Sequence, residues 1–449
     1  LCLEIMKSLF WFRRDLRLTD NAGLYHALKS SKTVQCIFIF DTAILDQLED
    51  KKDARVQFIH EQIQALKKEL EALGATLFVY QGKPENVFTE LLNSAHFNAI
   101  YCNHDYEPYA KERDEAIAKI CKVHQVDFKH FKDQVIFEKE DVLKDDGSPY
   151  TVFTPYSKKW KAKLNDFYLK AYPVNEFEQH FFQCAPEDLI SLKTMGFQKS
   201  ALSFPSSKAD LDIINTYDKT RDIPAINGTT RLSVHLRFGT ISIRGLARIA
   251  LKRNETYLNE LIWREFYMMI LWHFPHVTKN AFRAKYDAIP WRDNEQEFQA
   301  WCKGETGFPI IDAGMRELNT TGFMHNRVRM IVASFLVKDL LIDWRWGEAY
   351  FANKLLDFDL AANNGGWQWA AGSGCDAAPY FRIFNPESQQ KKFDPELKYI
   401  KKWVPEFEDP FKYTKPIVDR KLSRERALST YKEALNNYEL DPDSYRSKR

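Results

Sequence analysis

The stretch YLNELIWREFYMMI places Glu260, Trp263, Arg264 and Tyr267 at i, i+3, i+4 and i+7. On a helix these four share one face, so a carboxylate, an indole, a guanidinium and a phenol stand together. On spacing alone, a Glu–Arg pair beside a half-buried Trp is the plainer reading. A second stretch, INGTTRLSVHLRFG, opens with an Asn227-Gly228 turn and then offers the hydroxyls of Thr229, Thr230 and Ser233 beside Arg231. Hydroxyls and an arginine at a helix start suit a diphosphate, although for this stretch alone ordinary capping is the plainer reading.

Two further stretches complete the set. GFMHNRVRMIVASFLVKDLLIDW puts Asn326, Arg327, Arg329 and Met330 near a helix start and Trp344 at its far end. Its arginines have the reach and fork geometry for phosphate or carboxylate. LLDFDLAANNGGWQWAAGSGCDAAPYFRIFNP carries Asp357, Asp359, Asn363, Trp367 and Trp369 around Gly365 and Gly366, where the backbone can be approached closely. What is missing matters as much. There is no H-E-x-x-H, no C-x-x-C, no G-x-G-x-x-G and no G-x-x-x-x-G-K. No metal site, dinucleotide fingerprint or phosphate loop of those kinds is signalled, and His273 and His276 of HFPH read as structural.

The elements that must position these residues divide the chain. SLFWF, CIFIF, TLFVY and NAIYC read as buried strands, alternating with amphipathic stretches. In ARVQFIHEQIQALKKELEAL, Val56, Ile59, Ile63, Leu66, Leu70 and Leu73 recur at helical spacing. Strand–helix alternation predicts a Rossmann-like parallel sheet with right-handed crossovers. Gly, Pro and Ser punctuation from about Gln134 marks a connector, and after about Leu211 helical periodicity dominates. The expected fold class is α/β plus all-α. The expected domains are an α/β domain over 6–131, a connector over 132–208 and a helical domain over 209–449.

Composition sets the outer limits. The chain has 449 residues, 45% of them hydrophobic, with 64 Lys and Arg against 62 Asp and Glu. A formal charge of +2 means that any basic surface is local. Seven scattered cysteines fit a reducing compartment, so a cytoplasmic location is expected. No apolar run approaches the ~18 residues of a membrane span. The start, LCLEIMKSLFWFRRD, is broken by Glu4 and Lys7, so no cleaved leader is expected, and Met6 is a candidate native start.

LFWFRRDLRLTDN, NGTTRLS, NELIWREFY, TGFMHNRVRMIVASFLVKDLLIDW and DLAANNGGWQWAAGSGCDAAPYFRIFNP, in that order, resemble the photolyase/cryptochrome family over nearly the whole chain. The nearest likeness is to class I cyclobutane pyrimidine dimer photolyases. The resemblance implies an N-terminal α/β domain, a connector and a helical FAD domain. It implies light-driven electron transfer from fully reduced FAD to a dimer flipped out of double-stranded DNA, which needs no nucleophile and no metal. A monomer with no membrane partner is expected.

The resemblance also implies roles. Tyr217, Thr229, Thr230, Arg231, Leu232 and Ser233 would contact the FAD phosphates. Arg264, Arg329, Asp357 and Asp359 would hold the ring and ribose, with Arg329 paired to Asp357, and Asn363 would sit near the flavin N5. Trp367, Trp344 and Trp291 would relay electrons to the surface. Trp263 and Trp369 would wall the dimer pocket, Glu260 would meet the thymine edge, and Asn326 and Met330 would line the same space. Arg221, Arg327 and Gln389 would touch the DNA backbone. Tyr257 stands where this motif usually has Trp, at an FAD or DNA contact. A second, antenna chromophore is implied; folate, a deazaflavin, another flavin and an empty site are the alternatives, with folate the least supported. Folate users carry an Asn-Glu pair where this chain has Tyr109 and Ala110, and a Cys-Lys pair where it has Thr278 and Lys279. Two other members of the family compete with dimer repair. A cryptochrome sensor often carries a long signalling tail, whereas a short polar one follows here. A six-four photoproduct enzyme carries His at the positions of Asn326 and Met330.

Overall fold

A computed structural model of the protein describes residues 7–440; Met6 and the last residues, 441–449, lie outside them. Five strands form one parallel sheet: β1 (Lys7–Phe12), β2 (Thr33–Asp41), β3 (Leu77–Gly82), β4 (Ala99–Asn103) and β5 (Asp127–Phe131). Their order is β3-β2-β1-β4-β5. The helices Ala22–Ser30, Ala54–Ala72, Pro84–Ser94 and Pro108–Val123 make the crossovers between successive strands. The helix with the apolar stripe buries Val56, Ile63, Leu66 and Leu70, together with Phe58. Leu9, Trp11, Ile37, Phe88, Ile100 and Ile117 share the core that joins this sheet to its helices.

The strand order reverses between β1 and β4, where doubly wound sheets open a crevice beyond the strand ends. The residues that follow those strands fill this place with charge. Arg14 Nη1 pairs with Asp105 at 3.2 Å and Glu107 at 2.9 Å, Asn103 Nδ2 donates to Asp15 at 2.6 Å, and Arg13 pairs with Asp114.

The chain divides into two compact units that interleave in sequence. The first holds Leu1–Glu138, Lys163–Ala209 and Arg231–Lys252; the second holds Lys139–Ala162, Asp210–Thr230 and Arg253–Arg449. The second is helical. Glu255–His273, Asn326–Ser334, Trp344–Lys354 and Leu360–Ala371 carry most of the chemistry-bearing residues, and Arg420–Leu440 closes the described chain. Trp301, Leu336, Trp344, Phe351 and Trp367 lie in its main core. The stretch 132–208 contributes to both units, and the helix Phe153–Lys163 arises within it. Among the described residues no helix is long and apolar enough to cross a membrane.

Candidate active site

Glu255–His273 starts at Asn254, whose side chain accepts from Tyr257 N at 3.1 Å and donates to Asp218 at 2.8 Å. Leu258, Leu261, Ile262 and Phe266 bury one side of the helix. Glu260, Trp263, Arg264 and Tyr267 remain half-buried on the other. Glu260 Oε1 accepts from Arg221 Nη1 at 2.5 Å. Arg221 Nε lies 3.9 Å from Asp222, which accepts from Arg327 Nη2 at 2.8 Å and Nε at 3.2 Å. A chain of alternating charge, Glu260–Arg221–Asp222–Arg327, therefore runs along this face. Both arginines expected at a DNA backbone donate to carboxylates of their own chain. Burial pushes the Glu260 carboxyl above its ordinary range, and Arg221 opposes that shift.

Arg327 belongs to the helix that also carries Asn326 and Met330. His325 caps this helix by accepting from Arg327 N at 3.2 Å. Asn326 is exposed, and Arg327 Nη1 stands 3.5 Å from Met330 Sδ. The Arg327 guanidinium also lies over the Phe393 ring, 4.5 Å from its centroid. Trp263 is stacked on Phe153, with ring centroids 3.7 Å apart and planes 5° from parallel. Trp369 is half-buried and tilted against Phe384 at 6.2 Å. Gln389 is half-buried on the helix Pro386–Phe393.

The residues expected to hold a flavin nucleotide make contacts of their own. Thr230 Oγ1 and the Tyr257 hydroxyl share a hydrogen bond of 2.9 Å, and burial pushes the Tyr257 phenol up to about 12. Tyr217 meets Tyr257 edge-on at 5.0 Å. Thr229 is half-buried. Arg231, Leu232 and Ser233 fall in the first unit, where Arg231 has a left-handed φ of 52° and Leu232 is buried ahead of the helix Ser233–Phe238. Arg329 Nη2 reaches both oxygens of Asp357, at 3.1 and 2.9 Å, and its Nε donates to Met324 O. The implied pair is present. Asp359 caps the helix Leu360–Ala371 by accepting from Ala362 N at 3.3 Å. Asn363 donates to the Glu348 carbonyl at 3.2 Å, and Asn364 donates to the Glu348 carboxylate at 3.0 Å. Burial pushes Glu348 up to about 7.

The two glycines of this helix differ. A Cβ on Gly365 would lie 2.2 Å from the Tyr267 ring, whereas one on Gly366 would meet nothing within 4 Å. Gly365 lets two helices pack, and Gly366 leaves bare backbone on which a flat ring can rest. Hydroxyls, a paired arginine, amides beside a half-buried acid and bare helix backbone are the kinds of group that FAD requires, so the residues present fit it.

Trp367 is buried, with an indole N–H that has no hydrogen-bond partner, and it meets Phe351 at 5.0 Å and Trp301 at 6.0 Å. Trp344 is buried under the Arg345 guanidinium, 4.7 Å from its ring. Trp291 is half-buried and edge-on to Tyr431 at 5.9 Å. All three lie in or against the same core. Sequence reasoning missed Phe153, Asp222, Trp301 and Glu348. Only Asp222 and Glu348 left a trace, one as the neighbour of Arg221 and the other four residues after Trp344 on a helix.

At the expected antenna positions, Tyr109 donates to Asp41 at 2.5 Å, and Thr278 donates to Pro275 O at 2.9 Å. Among the described residues no group of three or more His, Cys, Asp or Glu could hold a metal ion.

Two family descriptions match this chain: "DNA photolyase" over residues 8–176 and "FAD binding domain of DNA photolyase" over 257–410. The deoxyribodipyrimidine photo-lyase of a Synechococcus strain is 38% identical, covering 97% of this chain and 99% of its own. The crystal structure of a class III photolyase from Agrobacterium tumefaciens superposes with a TM-score of 0.85 at 32% identity, covering 97% of this chain and 98% of that one. A Sulfolobus tokodaii photolyase, solved with two FAD molecules, gives 0.80 at 37%, covering 95% of this chain and all of that one. With these likenesses running almost end to end, and with an FAD-binding domain spanning the helices just described, the chain belongs to the DNA photolyase family.

Proposed function

We propose that this protein repairs cyclobutane pyrimidine dimers in double-stranded DNA under blue light, as a cytoplasmic monomer. Reduced FAD, held by the residues described above, would supply light-driven one-electron chemistry. The chain's own residues select and hold the lesion. Trp263 offers an aromatic face to a base with no pairing partner, and stacking of that kind is worth about 1–3 kcal/mol per base. Glu260, whose carboxyl is raised by burial, would meet a thymine edge as donor or acceptor. Asn326, Met330 and Trp369 supply a polar group, a soft apolar group and a second ring. Arg221, Arg327 and Gln389 serve the DNA backbone once the arginines exchange carboxylate for phosphate.

The observation that carries the dimer reading is the histidine content of this face. Asn326 and Met330 leave it without an imidazole, and the adjacent His325 is buried and occupied as a helix cap. Six-four chemistry needs a proton donor there. The test is repair of two defined oligonucleotides under blue light, one with a cyclobutane dimer and one with a six-four product. Restoration of the first alone is expected. Restoration of the second, or of neither with a fully reduced flavin present, refutes the proposal.

A further inference from the structure

The Phe153–Trp263 stack is the tightest parallel ring pair among the described contacts, and its form is unusual. Aromatic pairs favour offset or edge-on arrangements with centroids about 4.5–7 Å apart. A face-to-face pair at 3.7 Å and 5° is set by its surroundings rather than by its own preference. Those surroundings are visible. Phe153, Tyr156, Ser157 and Trp160 fall at i, i+3, i+4 and i+7, which makes one stripe of the helix Phe153–Lys163. Tyr156, Ser157 and Trp160 are buried. The Trp160 indole N–H donates to Glu265 Oε1 at 2.5 Å, two residues from Trp263. Tyr156 packs on Phe266 at 5.2 Å, and Phe153 meets the same ring edge-on at 5.9 Å. The Phe153 backbone N–H donates to Asp376 at 3.1 Å, five residues beyond the helix that carries Trp369.

We infer that Phe153 is a positioning residue for damaged DNA: its ring backs Trp263 and fixes the plane of the indole, so that a single prepared face receives the extruded base. This rests on the reading of Trp263 as the wall of the dimer pocket. An indole free to change rotamer must be ordered when the base arrives, at a cost of about 0.5–1.5 kcal/mol per side chain. A ring pinned behind it removes that cost beforehand.

The test is a thermodynamic cycle on the FAD-loaded enzyme: wild type, Trp263→Ala, Phe153→Ala and the double variant. Dissociation constants are measured on a dimer-containing duplex and on the undamaged duplex of the same sequence. Phe153→Ala should weaken binding to the damaged duplex about three- to tenfold and leave the undamaged one unchanged. In the Trp263→Ala background it should do nothing more, because no indole remains to be held. Phe153→Tyr should restore wild-type binding. Phe153→Leu keeps the buried volume without a planar ring, and it carries the same expectation as alanine should the alanine variant fail to fold. An equal loss in both backgrounds overturns the inference and makes Phe153 a general packing residue. Tighter binding of damaged DNA by Phe153→Ala overturns it in another way, since Phe153 would then occupy the base's seat. If Trp263→Ala itself leaves damaged-DNA affinity unchanged, the reading of Trp263 fails and the inference with it.

Discussion

Adjacent glycines on the helix Leu360–Ala371 should respond oppositely to the same substitution. In a helix interior alanine is favoured over glycine by about 0.8–1 kcal/mol. At Gly366 an added Cβ meets nothing within 4 Å, so Gly366→Ala should stabilise the flavin-free protein by about that amount. At Gly365 the Cβ would stand 2.2 Å from Cδ1 and Cε1 of Tyr267, well inside the ~3.5–4.0 Å of a carbon–carbon contact. Tyr267 cannot simply swing aside, because its ring is tilted against Trp263 at 5.5 Å and Phe266 at 5.8 Å. Overpacking of this kind costs about 1–3 kcal/mol, so Gly365→Ala should lose up to about 2 kcal/mol net. Urea unfolding of the flavin-free variants measures both. The same proteins then report on FAD: Gly366→Ala should retain flavin poorly, because its methyl covers the bare backbone. A Gly365→Ala protein as stable as wild type would refute the packing argument. A Gly366→Ala protein that holds flavin as tightly as wild type would remove that backbone from the cofactor site.

Two further outcomes are expected. Arg327→Ala should lower the salt dependence of damaged-DNA binding by about 0.9 log units per log unit of salt, one phosphate's worth, and Asp222→Asn should steepen it by uncovering the same guanidinium. Unchanged slopes in both variants would take this pair off the DNA face. Folding stability should fall as pH rises from about 4.5 to about 7, because burial lifts Glu348 from 4.5 to about 7 and the native protein therefore binds its proton more tightly than the unfolded chain does. Asp339, lifted by burial to about 7, acts in the same direction. Glu348→Gln should flatten part of this decline in pH-dependent urea unfolding, and an unaltered slope would show that Glu348 titrates normally.

The strands legible in the sequence were those that carry an apolar run. In β1, β2 and β4 that run is buried nearly throughout, as in a parallel sheet covered on both faces, whereas β3 is an edge strand that is mostly half-buried and was read from Leu77, Phe78, Val79 and Tyr80. β5 was not read, since its residues DFKHF alternate on an edge and look polar. The face of Glu260, Trp263 and Tyr267 was legible because helical spacing places residues without help from the rest of the fold. Its partners were not. Arg221 lies 39 residues from Glu260, and Asp222 lies 105 from Arg327, so nothing local records either pairing. Phe153 was hidden for a different reason: it sits in a stretch whose Gly, Pro and Ser punctuation reads as connector, although a buried helical stripe starts within it.

The interleaving of the two compact units bears on how the chain is made. Neither unit is a continuous segment, so neither can finish folding when its first stretch leaves the ribosome. The sheet is complete by Phe131, yet the unit containing it waits for Arg231–Lys252, and meanwhile Lys139–Ala162 has emerged with most of its own partners still unsynthesised. Domains that fold as they are made ordinarily do so in chain order. Here Tyr156 and Trp160 lack their partners on the helix Glu255–His273 until it arrives, about a hundred residues later, which at ~5–20 residues per second is a wait of about 5–20 seconds. For the same reason, a gene fragment starting at residue 209 would encode Glu265 without the indole that donates to it, and is expected to yield aggregated protein rather than half an enzyme.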